Sequence, residues 1–223
     1  MENQIITIKS LVNITHDVVQ FTTDKPSNVT FVPGQAAEIA VNKEGWKDEK
    51  RPFTFTSLPD DDSLEFTIKI YPSHNGVTRQ LSECQVNDEL ILHEVFGTIT
   101  FKNQGIFIAG GAGVTPFISI FKQLEKLHQI GNNRLIFANK SKADIILEAY
   151  FGKILGSNFI NILSDETTPD YAHGRITRDF LSSYIEGQEQ MFYLCGPEAM
   201  MNAVEEQLIS LQVNPDLIVK EQF

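Results

Sequence analysis

The sequence predicts two domains, an antiparallel β-barrel followed by an α/β domain built on a parallel sheet. Its 223 residues exceed the usual size of a single domain. Short strands between turn residues fill the first hundred positions, and strands alternating with helical segments fill the rest. This change of rhythm near residue 102 predicts domains at 1–102 and 103–223.

The first domain is predicted as a barrel because apolar segments recur between short turns. Segment 64–71 is the clearest of them, since its apolar and polar residues alternate as in a half-buried strand. A helical segment at 76–82 interrupts the pattern. The predicted strands are 5–7 with 11–14, 18–22, 36–41, 64–70 and 89–93.

The second domain is predicted from its regular alternation of strand and helix. That alternation is typical of a parallel sheet wrapped by helices. The predicted strands are 105–110, 134–139, 158–164, 190–195 and 217–220. The predicted helices are 116–130, 143–154, 177–184 and 198–211.

Composition excludes several classes of function. Lys and Arg number 18 against 29 Asp and Glu, a net charge of −11, so nucleic acid and anionic lipid are expected to be repelled. The only cysteines, Cys84 and Cys195, are too few for an iron–sulfur cluster, which takes about four thiolates. The N-terminal residues lack the pattern of a signal peptide, and we expect a cytoplasmic protein without membrane insertion.

A glycine-rich segment, Gly110–Pro116, follows a predicted strand and opens a predicted helix. Glycines let backbone amides approach a pyrophosphate, and a helix N-terminus adds partial positive charge. Pro116 replaces the third glycine of the G-x-G-x-x-G pattern, so this is not the ordinary Rossmann fingerprint. Dinucleotide binding and a plain strand-to-helix turn both remain open on this pattern.

Two segments of the first domain carry side chains suited to a cofactor. The Arg51 guanidinium can bind a phosphate, Phe53 can lie on a flat ring, and Thr54 can hydrogen-bond to a ring nitrogen. Gly76 and Thr78 open a short helix whose amides and hydroxyl can hold a phosphate oxygen. A solvated arginine on the barrel surface is the alternative for Arg51.

Cys195-Gly196-Pro197 follows the fourth predicted strand of the second domain, and Met200 lies on the next helix. Ligands of open α/β sheets collect beyond the carboxyl ends of strands, so the small polarizable side chain of Cys195 can lie against a bound ring. A small core cysteine is the alternative interpretation.

Four motifs stand in one order: Arg51-Pro-Phe-Thr, Gly76-Val-Thr, the segment Gly110–Pro116, and Cys195-Gly-Pro-x-x-Met. Together they resemble the ferredoxin–NADP reductase superfamily over essentially the whole chain, and most of all its compact bacterial flavodoxin or ferredoxin reductases. The resemblance implies a flavin-binding barrel, a pyridine-nucleotide domain and a flavin at their interface. It further implies FAD as cofactor, a monomer, and a separate electron carrier such as flavodoxin or ferredoxin.

The resemblance also implies roles for single residues. Arg51 would pair with the flavin pyrophosphate, Phe53 would stack on the isoalloxazine in place of the usual Tyr, and Thr54 would face flavin N5. Further flavin contacts would be Pro52, Ile68, Lys69, Gly76, Val77, Thr78 and Phe223, the last covering the ring. Nucleotide contacts would be Gly111, Ala112, Gly113, Val114, Thr115, Ser164, Asp165, Gly196, Pro197 and Met200. Thr54, Glu221 and Cys195, the last near nicotinamide C4, would be catalytic.

The residues after the third strand of the second domain bear on the choice of nucleotide. NADPH-specific members of the superfamily commonly place Ser-Arg there, whereas this chain has Ser-Asp-Glu at 164–166. A carboxylate accepts from a ribose hydroxyl and repels a 2′-phosphate. Lys140, Lys142 and Arg175 are nearby cations that can form a phosphate pocket, and a solvated acidic loop is also possible. We expect NADH to be favoured over NADPH.

Three functions are compatible with these motifs. The first is a stand-alone reductase that transfers hydride from NAD(P)H to FAD and then electrons to a carrier. The second is the reductase component of an oxygenase, or a free-flavin reductase. The third is a non-catalytic subunit of a larger complex that keeps the flavin fold. Flavin content separates the third from the others.

Overall fold

A computed structural model describes residues 3–73, 75–187 and 189–220. The chain divides into two compact units. The barrel unit comprises Met1–Thr100 with Thr115–Gln123, and the α/β unit comprises Phe101–Val114 with Leu124–Phe223. The first division of the chain thus lies two residues before the predicted boundary at 102/103, and a helical segment from beyond that boundary is grouped with the barrel.

The barrel unit contains a six-stranded antiparallel sheet, as predicted. Its strands are β1 (Gln4–Asn13), β2 (Val18–Asp24), β3 (Ala36–Val41), β4 (Arg51–Thr54), β5 (Ser63–Lys69) and β6 (Glu89–Phe96), in the order β4-β3-β6-β1-β2-β5. Helix α1 (Val77–Ser82) lies between β5 and β6 in the chain. A bridge between Phe55 and Phe66 joins the two edges of the sheet and curls it into a barrel.

Phenylalanines fill the barrel where its two edges meet. The rings of Phe31 and Phe55 stack with centroids 4.0 Å apart, and Phe55 and Phe66 lie 5.1 Å apart. Phe55 and Phe66 are fully buried. Packed aromatic rings remove a large apolar area from water, so this cluster stabilises closure of the barrel.

Strand β4 is not among the strands predicted from the sequence. It has only four residues and includes Pro52, which lacks an amide donor and interrupts the strand pattern. It is at the edge of the strand order, where proline is tolerated, and its register on β3 pairs Ala37 with Phe53 and Ile39 with Arg51. The Arg-Pro-Phe-Thr motif is therefore held in an extended conformation by pairing with a distant strand.

The α/β unit contains a parallel sheet, as predicted, with six strands in place of the five predicted, since the two-residue strand at 172–173 was not expected. Its strands are β7 (Gly105–Gly110), β8 (Arg134–Asn139), β9 (Phe159–Leu163), β10 (Ala172–His173), β11 (Met191–Cys195) and β12 (Ile218–Lys220), in the order β10-β9-β8-β7-β11-β12. The α-helices after β7 are α2 (Thr115–Lys126), α3 (Glu148–Leu155), α4 (Arg178–Ser182) and α5 (Glu198–Ser210). None of the helices in the described residues has the length and apolar character needed to cross a membrane.

Two predicted helices end or begin elsewhere because the backbone turns left-handed. The helix predicted at 116–130 stops at the end of α2, since His128 has a φ of +56°. The helix predicted at 143–154 starts only with α3, since Leu147 has a φ of +54°. Before it, the side chain of Asp144 accepts from the amide and hydroxyl of Ser141 and closes a separate short turn.

Three polar residues on one face of α2 contact the barrel. Thr115, Ser119 and Lys122 stand at the spacing of successive helical turns. The hydroxyls of Thr115 and Thr54 lie 3.4 Å apart, and the amide of Gly34 donates to the Ser119 hydroxyl over 3.0 Å. The helix that follows the glycine-rich turn is thus hydrogen-bonded to the barrel.

The third of these residues, Lys122, forms an ion pair that is mostly shielded from water. Its Nζ lies 2.7 Å from the Glu65 carboxylate and 2.8 Å from the carbonyl oxygen of Thr56. The two side chains are 26% and 19% exposed. The Thr56 hydroxyl also donates to Glu65 over 2.7 Å. Such a pair stabilises only while both partners are present.

Replacing Lys122 by Met should lower the free energy of unfolding by about 2 kcal/mol, because Glu65 loses its cation in a largely buried position. Urea unfolding followed by circular dichroism and by fluorescence of Trp46, the single tryptophan, measures the change. The double variant Lys122→Met/Glu65→Leu should recover most of the loss. An unfolding midpoint equal to wild type in the single variant would contradict a stabilising role for the pair.

Candidate functional site

Strand β4 presents a cation, a flat ring and a hydroxyl along one edge of the barrel sheet. Arg51 and Pro52 are exposed, while Phe53 and Thr54 are half-buried. Phe53 packs partly against the barrel core, which holds its ring, and Arg51 donates to the carbonyl oxygen of Lys50 over 2.6 Å. The predicted motif residues are therefore brought together as one accessible strip.

The residues predicted on β5 have different surroundings. Ile68 is buried in the barrel core, whereas the ammonium group of Lys69 lies 2.8 Å from the Asp17 carboxylate. Burial raises the pKa of Asp17, but the hydrogen bond and charge of Lys69 outweigh it and hold that pKa below its usual value. Lys69 thus has a protein partner, and its contact with a cofactor stays a prediction.

Helix α1 begins beside an open stretch of backbone. Gly76 precedes it in an extended conformation, Val77 is buried and Thr78 is half-buried. A Cβ added at Gly76 would meet no atom within 4 Å. The first amides of a helix have no acceptor within the helix. Because residue 76 is glycine, it has no side chain that could cover these amides at the start of α1.

In the α/β unit, the glycine-rich turn packs directly against the chain that follows β11. A Cβ at Gly113 would lie 2.2 Å from the carbonyl oxygen of Cys195, and one at Gly110 would lie 2.6 Å from the sulfur of Met200. Gly196 is equally tight, since its Cβ would lie 2.8 Å from the Met200 methyl. At Gly113 the colliding atom is backbone, so no side chain fits there, whereas at Gly110 and Gly196 the nearest atom belongs to the flexible Met200 side chain. These contacts bring the predicted residues of both motifs together.

Gly111 differs from the other glycines of the turn. Its φ is +52°, which favours glycine, and a Cβ there would meet no atom within 4 Å. The turn Gly111–Val114 forms one 3-10 helix, in which Ala112 is half-buried and Val114 is fully buried. The turn therefore leaves backbone open at Gly111, at the carboxyl edge of the sheet where nucleotides bind in such folds.

Cys195 is the last residue of β11 and is 8% exposed. It pairs with Ala109 of β7, and Pro197 immediately precedes α5, which carries Met200. This burial fits a small core residue as well as a contact with a bound ring, so the catalytic role of Cys195 stays a prediction.

The acidic segment after β9 lies beside the residues that follow β8. The amide of Ser164 donates to the carbonyl oxygen of Asn139 over 3.0 Å, and the amide of Asp165 donates to the carbonyl oxygen of Lys140 over 2.9 Å. The Ser164 hydroxyl donates to the Asp165 carboxylate over 2.6 Å. Backbone hydrogen bonds thus hold this segment beside the end of β8, and the exposed Asp165 carboxylate is bonded to the Ser164 hydroxyl.

Lys142, one of the candidate phosphate-binding cations, is held by other groups. Its amide donates to the Glu166 carboxylate over 2.7 Å, and its Nζ lies 3.8 Å from Glu148 and 5.5 Å from the centre of the Tyr171 ring. Burial and a hydrogen bond to Glu148 raise the pKa of Tyr171 to about 12. Lys142 thus has an acidic partner, Lys140 and Arg175 are exposed, and the choice between NADH and NADPH stays a prediction.

Sequence reasoning missed Asn139, the last residue of β8. The residue is 8% exposed, and neither its amide nitrogen nor its amide oxygen has a hydrogen-bond partner among the described atoms. A polar residue that ends the apolar run Leu-Ile-Phe-Ala was the available signal. The predicted residues Glu221 and Phe223 lie outside the described residues.

Comparison with known families agrees with this layout. A family described as an FAD-binding domain matches residues 3–129, and one described as an oxidoreductase NAD-binding domain matches residues 107–206. The chain belongs to the ferredoxin–NADP reductase superfamily. The superfamily and the two-domain fold predicted from the sequence are thereby confirmed.

The individual relatives of this chain are distant in sequence. The 2-halobenzoate 1,2-dioxygenase electron transfer component of Burkholderia cepacia is 22% identical over 92% of this chain, which spans 63% of that protein. The FAD/NAD-binding domain of a Vibrio cholerae nitric oxide dioxygenase is similar with a TM-score of 0.87, 22% identity, and coverage of 99% and 98% of the two chains. A Neisseria gonorrhoeae ferredoxin NADP+ reductase is similar with a TM-score of 0.83 and 17% identity, and the match covers 99% of this chain and 98% of that one. The two structures show the fold.

The residues of this superfamily member fit both groups that its family descriptions name. The β4 strip offers an exposed guanidinium beside a half-buried aromatic ring, which suits a flavin with its phosphates. The glycine turn leaves backbone uncovered at Gly111, beside the close contact of Gly113 with Cys195, and this suits a pyrophosphate.

Replacing Gly113 by Ala should lower the free energy of unfolding by about 2 kcal/mol, because the new Cβ would collide with the Cys195 carbonyl oxygen. Thermal and urea unfolding measure this. Gly152→Ala is the matched control: it lies inside α3 with no atom within 4 Å of the added Cβ, and it should stabilise by about 0.5–1 kcal/mol. Equal stability of the two variants would disprove the close packing of the turn.

Proposed function

We propose that this chain is an FAD-dependent reductase that takes a hydride from NADH and passes electrons to a separate carrier protein in an oxygenase system. One observation carries the proposal: a single chain matches both an FAD-binding and an NAD-binding family, and its glycine turn packs closely against the end of β11 while leaving backbone open at Gly111. The Burkholderia relative is an electron transfer component, which supports the second part.

On the flavin side, the β4 strip supplies position. Arg51 binds the flavin phosphates, Phe53 lies on the ring and Thr54 hydrogen-bonds at N5. Arg51 with the start of α1 at Gly76–Thr78 makes two phosphate positions, which favours FAD over FMN. Bound FAD supplies the chemistry, since a flavin accepts two electrons and releases them one at a time.

On the nucleotide side, the glycine turn and the end of β11 position the nucleotide. The open backbone at Gly111 binds the pyrophosphate, and the tight packing of Gly113 and Gly196 fixes the end of β11. Cys195 then lies against the nicotinamide ring near C4. Holding the two reacting rings in one orientation is the contribution that the protein makes to hydride transfer.

The carrier is proposed to be a one-electron protein of the flavodoxin or ferredoxin type. These 223 residues contain two cysteines, so they do not provide the roughly four thiolates that bind an iron–sulfur cluster. The chain also spans less than two thirds of the Burkholderia relative. One-electron transfer therefore has to proceed to a group that these residues do not hold.

Flavin content and reduction test the proposal directly. The purified protein should be yellow, release FAD on denaturation, and lose its visible flavin absorbance when NADH is added without oxygen. Arg51→Gln should weaken FAD binding, whereas Lys50→Gln on the neighbouring residue should not.

FMN alone in the released fraction would contradict the assignment of FAD as the cofactor, and a colourless protein that takes up no FAD would favour the non-catalytic subunit. A screen of flavodoxins and ferredoxins then tests the carrier.

Nucleotide choice is predicted from the acidic segment at 164–166. Wild type should show a kcat/KM at least tenfold higher with NADH than with NADPH, because the Asp165 carboxylate repels a 2′-phosphate. Asp165→Arg should shift this ratio toward NADPH by tenfold or more. Asp170→Arg makes the same charge change elsewhere in the loop and should leave the ratio within twofold. A wild-type preference for NADPH, or equal shifts in both variants, would refute the assignment.

A further inference from the structure

Asn139 is a buried amide whose polar atoms are both left without hydrogen bonds. Among the described residues with buried, unpartnered side-chain atoms, it alone has two such atoms, a nitrogen and an oxygen. The residue is 8% exposed. Native proteins pair nearly all such groups because an unmade bond lowers stability, so an exception calls for a functional explanation.

The backbone of Asn139 is fully engaged in the sheet, which separates it from its side chain. Asn139 pairs with Leu163 of β9, and its carbonyl oxygen accepts from the amide of Ser164 over 3.0 Å. The strand is therefore fixed in register. The unpaired amide is a property of the side chain and not of a frayed strand end.

Its location links the two segments assigned to the nucleotide. On one side, β7 pairs Gly110 with Ala138, the neighbour of Asn139, and continues into the glycine turn. On the other side, β9 continues into Ser164 and Asp165. Asn139 thus stands at the carboxyl edge of the sheet, between the proposed pyrophosphate position and the proposed ribose position.

The face of the sheet is also defined. Ile136 and Ala138 belong to or pack against the apolar cluster that includes residues of α4 and α5. Side chains alternate along a strand, so Asn139 lies on the opposite face. Asn161 of β9 is on that face as well, farther from the edge, and its amide oxygen also lacks a partner.

We propose that the side-chain amide of Asn139 binds the nicotinamide nucleotide, with its donor and acceptor hydrogen-bonded to a ribose hydroxyl beside the pyrophosphate. This rests on the proposed function and deepens it. A hydroxyl both donates and accepts, as the amide does. Both amide atoms are buried, so binding requires a local shift that exposes them.

An asparagine that binds nucleotide and one with only a structural role respond differently to substitution. Asn139→Leu has nearly the same shape and removes both unpaired atoms, so the flavin-loaded protein should keep or raise its Tm. The same variant should weaken NAD+ binding about tenfold, because the nucleotide loses its partner. Asn139→Ala is the second variant should leucine not fit. Isothermal titration with NAD+ and a thermal melt are the measurements.

Asn161→Leu is the matched control, since it changes a buried amide on the same face away from the edge. Its Kd for NAD+ should stay within twofold of wild type. A Kd within twofold for the Asn139 variants, or equal weakening by Asn161→Leu, would overturn the inference while leaving the proposed function intact. A wild-type protein that binds no NAD+ would overturn both together.

Discussion

The close approach of the glycine turn to the end of β11 is the contact on which the nucleotide end of this chain depends. No side chain fits at Gly113, because its Cβ would lie 2.2 Å from the Cys195 carbonyl oxygen. Interiors of this density transmit any added volume as strain. The contact therefore fixes where β11 ends and where Cys195 and Met200 lie. Gly111 is spared from this packing, which leaves its backbone open.

Polar groups on α2 give the helix after this turn a different attachment. Ser119 and Lys122 bond to the barrel, and the Lys122–Glu65 pair is mostly shielded from water. A charge pair in such a place stabilises one arrangement and penalises those that separate the partners. The first part of α2 is accordingly grouped with the barrel, although it follows the nucleotide turn in the chain.

An unfavourable group is kept at the carboxyl edge of the parallel sheet, close to an exposed acidic segment. The Asn139 amide is buried without partners, and the backbone of Asp165, whose carboxylate is exposed, is hydrogen-bonded to Lys140. The buried, unpartnered amide is not what stability alone would select. Costs of this kind concentrate at functional sites, where a ligand supplies the missing interactions. Asn139 ends β8, the neighbour of β7 and its glycine turn, and Asp165 follows β9, one strand farther along the sheet.

The sequence by itself determined the class of each sheet, the order of the motifs and the presence of a glycine turn before a helix, because these features are encoded in neighbouring residues. Only the tertiary structure decided what depends on distant partners. Strand β4 exists because β3 pairs with it despite Pro52, Lys69 is drawn to Asp17, and α2 joins the barrel through Glu65. The isolation of Asn139 likewise follows from what surrounds it, which no local pattern encodes.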